Sequence, residues 1–100
     1  MAKGYWIGRV DVKNAEGYKP YSEANNAIFK KFGARLVVRG GSFEAVEGTS
    51  RARNVVIEFP DYATAVACYR SPEYQENMKI RQANADADLI IIEGYDGPSP

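Results

Sequence analysis

The sequence predicts an α+β domain built on one four-stranded antiparallel sheet with its helices on one face. Two observations carry this prediction. Apolar periodicity switches along the chain between the two-residue repeat of strands and the three-to-four-residue repeat of helices, in the order strand, helix, strand, strand, helix, strand. At 100 residues there is material for one core only, because a chain of this size buries about 60–70% of the surface its unfolded form exposes. The expected organisation is a single domain over residues 1–100, with 95–100 a flexible tail.

The first strand is read from Gly4 to Val12, with Trp6, Gly8, Val10 and Val12 on one face and Tyr5, Ile7, Arg9 and Asp11 on the other. A turn cluster at Asn14 to Gly17 precedes an amphipathic helix from Tyr18 to Phe32, in which Tyr21, Ala24, Ile28 and Phe32 recur at helical spacing. Gly33 suits the left-handed position that closes such a helix. Ala34 to Arg39 reads as the second strand, broken by Gly40-Gly41 before Ser42 to Val46 resumes extended structure. After a polar turn, Asn54 to Phe59 is β-branched and aromatic, with Val55, Ile57 and Phe59 on one face and Val56 and Glu58 on the other. Pro60 stops this third strand and Asp61 caps a helix carrying Tyr62, Val66 and Tyr69. Ser71-Pro72-Glu73 supplies a cap, a first-turn proline and an acidic first turn, so another helix begins at once. Leu89 to Glu93 is the last strand.

This order is the split βαβ arrangement of ferredoxin-like folds, a βαββαβ sandwich. Its sheet leaves one face bare. An antiparallel sheet facing water alternates toward polar residues, yet the last strand is apolar at four consecutive positions, Leu89 to Ile92. The expected cover is the sheet of a second copy related by a two-fold axis.

Thirteen basic and thirteen acidic side chains balance to zero formal charge, which gives no footprint for nucleic acid. A single cysteine, Cys68, forms no internal disulfide, and neither a signal-peptide core nor an apolar run of membrane-spanning length is present. A cytoplasmic location without membrane association is expected. Histidine is absent, which removes the commonest general base and a common metal ligand together. Neither a phosphate loop nor a nucleophile triad occurs, and no metal or other cofactor is expected.

Glu58 is the anomaly of the third strand, a carboxylate whose alternation points it into the space between two sheets. Desolvation there would raise its pKa and make it a candidate acid or base near neutrality, unless an arginine pairs with it and lowers the pKa again. Arg9, Arg39 and Arg81 are the available partners, and a structural ion pair is the competing reading. Glu93, near the end of the last strand, is a candidate second carboxylate that would share a proton with Glu58 if the two met. Seven tyrosines are many for this length. Tyr5, Tyr18, Tyr21, Tyr69 and Tyr74 are candidates to orient a carbonyl or phenol, core packing being the alternative for helical tyrosines and the favoured one for Tyr21 and Tyr62. Arg81, mid-helix, is a candidate bidentate clamp for an anion, with Arg39 as a second.

The chain resembles the bacterial family called domain of unknown function 1330, a branch of the dimeric α/β-barrel group of ferredoxin-like proteins. The likeness runs from Tyr5 to Gly94 and rests on Tyr18, Tyr21 and Gly33, Arg39-Gly40-Gly41, Glu47-Gly48, Val56-Ile57-Glu58-Phe59-Pro60, Tyr69-Arg70-Ser71-Pro72-Glu73-Tyr74, Arg81 and Glu93-Gly94. Cys68 stands where that family often has tryptophan, and Ala34 where a second glycine is common. The resemblance implies a homodimer and a cavity between the sheet and its partner, and it supplies no reaction. Two functions remain open: a binder of a small anionic, carbonyl-containing or phenolic metabolite, acting as a cofactor-independent enzyme through Glu58, and a non-catalytic homodimeric module whose buried charges fix pairing.

Overall fold

In the computed structural model, which describes residues 2–100, four strands form one sheet in the order β2-β3-β1-β4. The strands are β1 (Gly4–Val12), β2 (Arg35–Arg39), β3 (Arg53–Phe59) and β4 (Ala85–Glu93), and every neighbouring pair is antiparallel. The helices are α1 (Ala15–Lys31), α2 (Tyr62–Arg70) and α3 (Pro72–Asn84). This is the ferredoxin-like α+β architecture that the element order predicts.

Register decides which side chains share a face. Trp6 lies opposite Ile57 on β3 and opposite Ile91 on β4, while Tyr5 lies opposite Glu58 and Ile92. Trp6, Val10, Ile57 and Phe59 are accordingly buried beneath the helices. Ile7, Val56, Ile90 and Ile92 point to the other face, where Ile90 keeps 54% and Ile92 46% of its surface exposed. The alternation expected for the third strand is therefore borne out.

Trp6 is the centre of the core. Its ring centroid lies 5.5 Å from Phe29, 5.3 Å from Phe59 and 4.9 Å from Tyr74, mostly in the edge-to-face arrangements that aromatic quadrupoles prefer. Its indole N–H donates to the Ala65 carbonyl at 2.8 Å, so the one polar atom of the ring is satisfied inside the core. That bond ties α2 to β1. Gly4 allows the same approach at the strand's start: a Cβ there would stand 2.5 Å from the Asp61 carbonyl oxygen, and backbone cannot yield as a side chain can.

Each helix start has a side-chain cap. The Asn14 side-chain oxygen accepts from the Gly17 N–H, the Asp61 carboxylate from Thr64 N–H at 2.7 Å, and the Ser71 hydroxyl from Tyr74 N–H. Ser71 also donates to the Cys68 carbonyl at 2.7 Å, closing α2 with the residue that opens α3. Gly33 follows α1 at φ 69°, the left-handed conformation glycine adopts at no steric cost.

Three local readings change. The first helix begins at Ala15 rather than Tyr18, because Asn14 caps it and Pro20 is carried inside an established helix. The last strand begins at Ala85 rather than Leu89: Asp86 and Asp88 are poor strand formers, but the ladder to β1 runs through them and overrides propensity. Residues 42–46 form neither strand nor helix and lie exposed in the β2–β3 connection. Residues 94–100 likewise carry no regular structure. Among the described residues no helix is long and apolar enough to cross a membrane.

Candidate functional site

A cavity of about 70 Å³ lies between the helix-facing side of the sheet and helices α1 and α3. Trp6, Gly8 and Ile57 are on its sheet side, Tyr18, Tyr21 and Phe29 on α1, and Arg81 on α3, with Arg39 and Arg53 at the β2–β3 end. Gly8 keeps the floor low, since a Cβ there would come within 3.0 Å of Val55. Most of the lining is apolar, with a few polar groups converging on it, the composition of small-molecule sites.

Arg81 is the unusual group. It is only 9% exposed, and its buried Nε has no hydrogen-bond acceptor among the described residues. Its guanidinium carbon stands 5.9 Å from the Tyr21 ring centroid, a cation–π contact that offsets part of the lost hydration. Asp88 is the acidic residue along the lining, and its carboxylate is taken by Arg51 at 2.9 Å. Burial pushes the Tyr18 hydroxyl up, with Arg53 and Arg81 pulling the other way, so it remains a neutral donor at neutral pH.

Behind the cavity wall, α1 and α3 meet through polar contacts. Tyr74, Asn77 and Arg81 form the buried stripe of α3. Asn77 donates to the Tyr21 carbonyl at 3.1 Å and to the Asn25 side-chain oxygen at 2.9 Å, and the hydroxyls of Tyr21 and Tyr74 stand 2.7 Å apart. This network fixes the helix that carries Arg81 against the helix that carries both cavity tyrosines.

On the opposite face of the sheet Glu58 accepts from Arg35 at 2.8 Å, and Lys3 lies 3.5 Å from its other oxygen. The Arg35 hydrogen bond holds the Glu58 carboxyl below its ordinary value, against the upward push of burial.

Residues 3–95 match the family described as Domain of unknown function (DUF1330). The chain belongs to this family. No curated protein matches the sequence. Among solved structures, a protein of unknown function from Rhodopseudomonas palustris superposes on this DUF1330 chain with a TM-score of 0.77 at 23% identity, over 96% of this chain and 85% of that one. SnoaB, a cofactor-independent oxygenase from Streptomyces nogalater, gives 0.64 at 10% identity over 97% of both chains. An antibiotic biosynthesis monooxygenase gives 0.53 at 12% identity, over 98% of this chain and the whole of that one. At such identities the likeness is one of fold.

In this DUF1330 chain the candidate residues divide between the two sides of the sheet. Arg81 and Arg39 share the cavity. Glu58, Tyr5 and Arg9 are on the far side, separated from Arg81 by the sheet itself. The expected pairing of Glu58 with Arg9, Arg39 or Arg81 is replaced by Arg35 and Lys3, and Arg9 instead donates to the Thr49 carbonyl at 2.9 Å. Glu58 keeps the lowered pKa of an ion pair, so the raised value that would suit an acid near neutrality does not arise. Glu93 does not join it: Glu93 pairs with Gly4 and Glu58 with Tyr5, and adjacent positions of one strand point to opposite faces. Tyr69 and Tyr74 pack against Trp6, with the Tyr69 hydroxyl directed to Met78 sulfur, away from the cavity. Tyr18 and Tyr21, two of the tyrosines singled out in the sequence, line the cavity, whereas Arg53 was missed as a lining residue. Burial raises the Cys68 thiol to about 12, which keeps it an inert thiol. Among the described residues no cluster of histidine, cysteine, aspartate or glutamate is arranged to hold a metal ion.

Proposed function

We propose that this DUF1330 protein binds a small anionic metabolite with an apolar or aromatic body in the cavity beneath α1 and α3, with Arg81 as the anion clamp. The observation that carries this reading is the buried, unpartnered Nε of Arg81. A guanidinium nitrogen withdrawn from water without an acceptor is costly, and unsatisfied buried donors of this kind are rare in cores. A ligand carboxylate would supply the missing partner, and the planar fork of arginine suits it bidentately. Arg39 and Arg53 at the β2–β3 end would draw the anion in, and the neutral Tyr18 hydroxyl would orient a carbonyl or phenol. The fold is shared with SnoaB, a cofactor-independent oxygenase, and a catalytic role without cofactor rests on that likeness alone.

Trp6, the chain's single tryptophan, borders the cavity and reports its occupancy. Titration with benzoate is expected to change Trp6 fluorescence saturably, whereas benzamide, of the same shape but uncharged, should bind at least about tenfold more weakly, as a charge-assisted bond is lost. Equal responses to the two, or none to benzoate, would refute the anion site.

The open sheet face favours a second, compatible reading, a homodimer. Val38, Ile90 and Ile92 are exposed there beside Ile7 and Val56, a contiguous apolar surface that a two-fold related copy would cover. Glu58, ionised beside Arg35 and Lys3, would then fix pairing rather than move protons. Placing a carboxylate in the patch by Ile90→Asp is expected to convert a sedimenting dimer to monomer and to remove any concentration dependence of the parent's Tm. A parent protein that sediments as a monomer at all concentrations tested would end this reading.

A further inference from the structure

The cavity beside Arg81 does not enclose a whole ligand. It measures about 70 Å³, whereas benzene fills an apolar cavity of about 150 Å³. A bound molecule therefore extends out of it. Tyr18, Ser22, Arg39 and Arg53 border the cavity and also an adjoining groove of about 440 Å³, which runs between α1 and the strand ends at Val12, Arg39 and Arg53. These shared residues form the mouth. Lys19, Arg39 and Arg53 line the groove, and among the described residues no acidic side chain borders it, in a chain whose charges balance overall. Lys19 reaches Glu23 only at 3.9 Å, a loose and exposed contact. Arg39 and Arg53 enter no ion pair among the described residues, and Asp88, the acid of the inner cavity, is taken by Arg51. Arg53 is half-buried and packs over Gly40, where a Cβ would stand 2.8 Å from its Nη1. Arg53 and Arg81 both draw the Tyr18 hydroxyl down against burial, so the outer and the inner cation approach the same lining residue.

We infer that the site is built for a two-ended dianion, two carboxylates joined by a short apolar spacer, with one carboxylate on the buried Arg81 and the other on Arg39 and Arg53 at the mouth. This rests on the anion-binding reading above and narrows its ligand class. A monocarboxylate satisfies Arg81 and leaves the outer pair of guanidiniums to water. A dicarboxylate gives both ends of the site a counter-charge, and the apolar lining of the cavity suits the spacer. Cations of one sign along a cleft also concentrate a doubly charged ligand more strongly than a singly charged one.

The test compares terephthalate and isophthalate, which hold their carboxylates at different separations, with 4-carbamoylbenzoate and 3-carbamoylbenzoate, half-amides of the same shapes with one charge fewer. All are read by Trp6 fluorescence. The parent protein is expected to bind at least one diacid about fivefold or more tightly than its half-amide, a modest factor because the outer arginines are partly exposed. Arg39→Gln/Arg53→Gln should bring that ratio close to one, and Arg39→Lys/Arg53→Lys, which keeps both charges, should retain most of it. The comparison in the parent is decisive by itself should the glutamine variant fold poorly. If benzoate binds and neither diacid is preferred over its half-amide, or if the preference survives in a folded glutamine variant, the inference is overturned and the Arg81 anion site stands. If neither benzoate nor any of the four acids binds, the anion site falls and this inference with it.

Discussion

Truncating Phe59 to alanine is expected to lower stability by about 3–5 kcal/mol, enough to unfold much of a marginal domain. Phe59 is 1% exposed and packs on Trp6 at 5.3 Å and edge-on to Phe29 at 6.3 Å, so its removal opens a hole where three elements of the core meet. The surrounding rings are too rigid to close it, since each is held by further aromatic partners, and Trp6 is also pinned by its bond to Ala65. Urea denaturation of Phe59→Ala beside the parent reads the loss as a shifted midpoint with unchanged slope. A loss under about 1 kcal/mol would mean that the faces of β3 are reversed, and Glu58 would then point toward the helices.

The second large effect separates function from stability. Arg81→Met is expected to weaken benzoate binding at least tenfold, as a charge-assisted bond contributes about 1.5–3 kcal/mol, while leaving the Tm unchanged or raised. Methionine has nearly the length of the arginine stem and fills the same space without a charge to desolvate, and replacing a buried unpaired charge by an apolar group of similar volume is often stabilising. Natural sites commonly trade stability in this way. A Tm lowered by several degrees together with unaltered binding would make Arg81 a structural residue and remove the anion clamp.

Much of this fold is legible along the chain because each local signal agrees with its neighbours. Val55, Ile57 and Phe59 alternate cleanly, Gly33 stands where a left-handed turn is needed, and Ser71-Pro72 punctuates two helices in a way few other pairs can. The site is less legible, and the reason is geometric. Periodicity assigns a side chain to a face, and it placed Glu58 correctly on the open side. It does not say which strand lies alongside. Arg35 meets Glu58 because β2 pairs with β3 in a register that sets the two directly opposite each other. The same limit joined Glu58 to Arg81 in expectation, although a whole layer of backbone lies between them. The polar seam of Tyr21, Asn25, Tyr74 and Asn77 was obscured differently: tyrosine and asparagine at core spacing look like an imperfect apolar stripe until the two helices are laid together.

The sheet order also bears on when this domain can form. Its hub, β1, is the first of the four strands in chain order, yet its two neighbours are β3 and β4, and the second of these is complete only at Glu93. Until then one side of β1 is an open edge with Trp6 lacking one wall, and the half-made sheet displays a strand surface that invites association with other chains. Closure therefore waits for the last strand and joins it to the first, a pairing of large sequence separation that places this small domain among slower folders than a helical bundle of equal length.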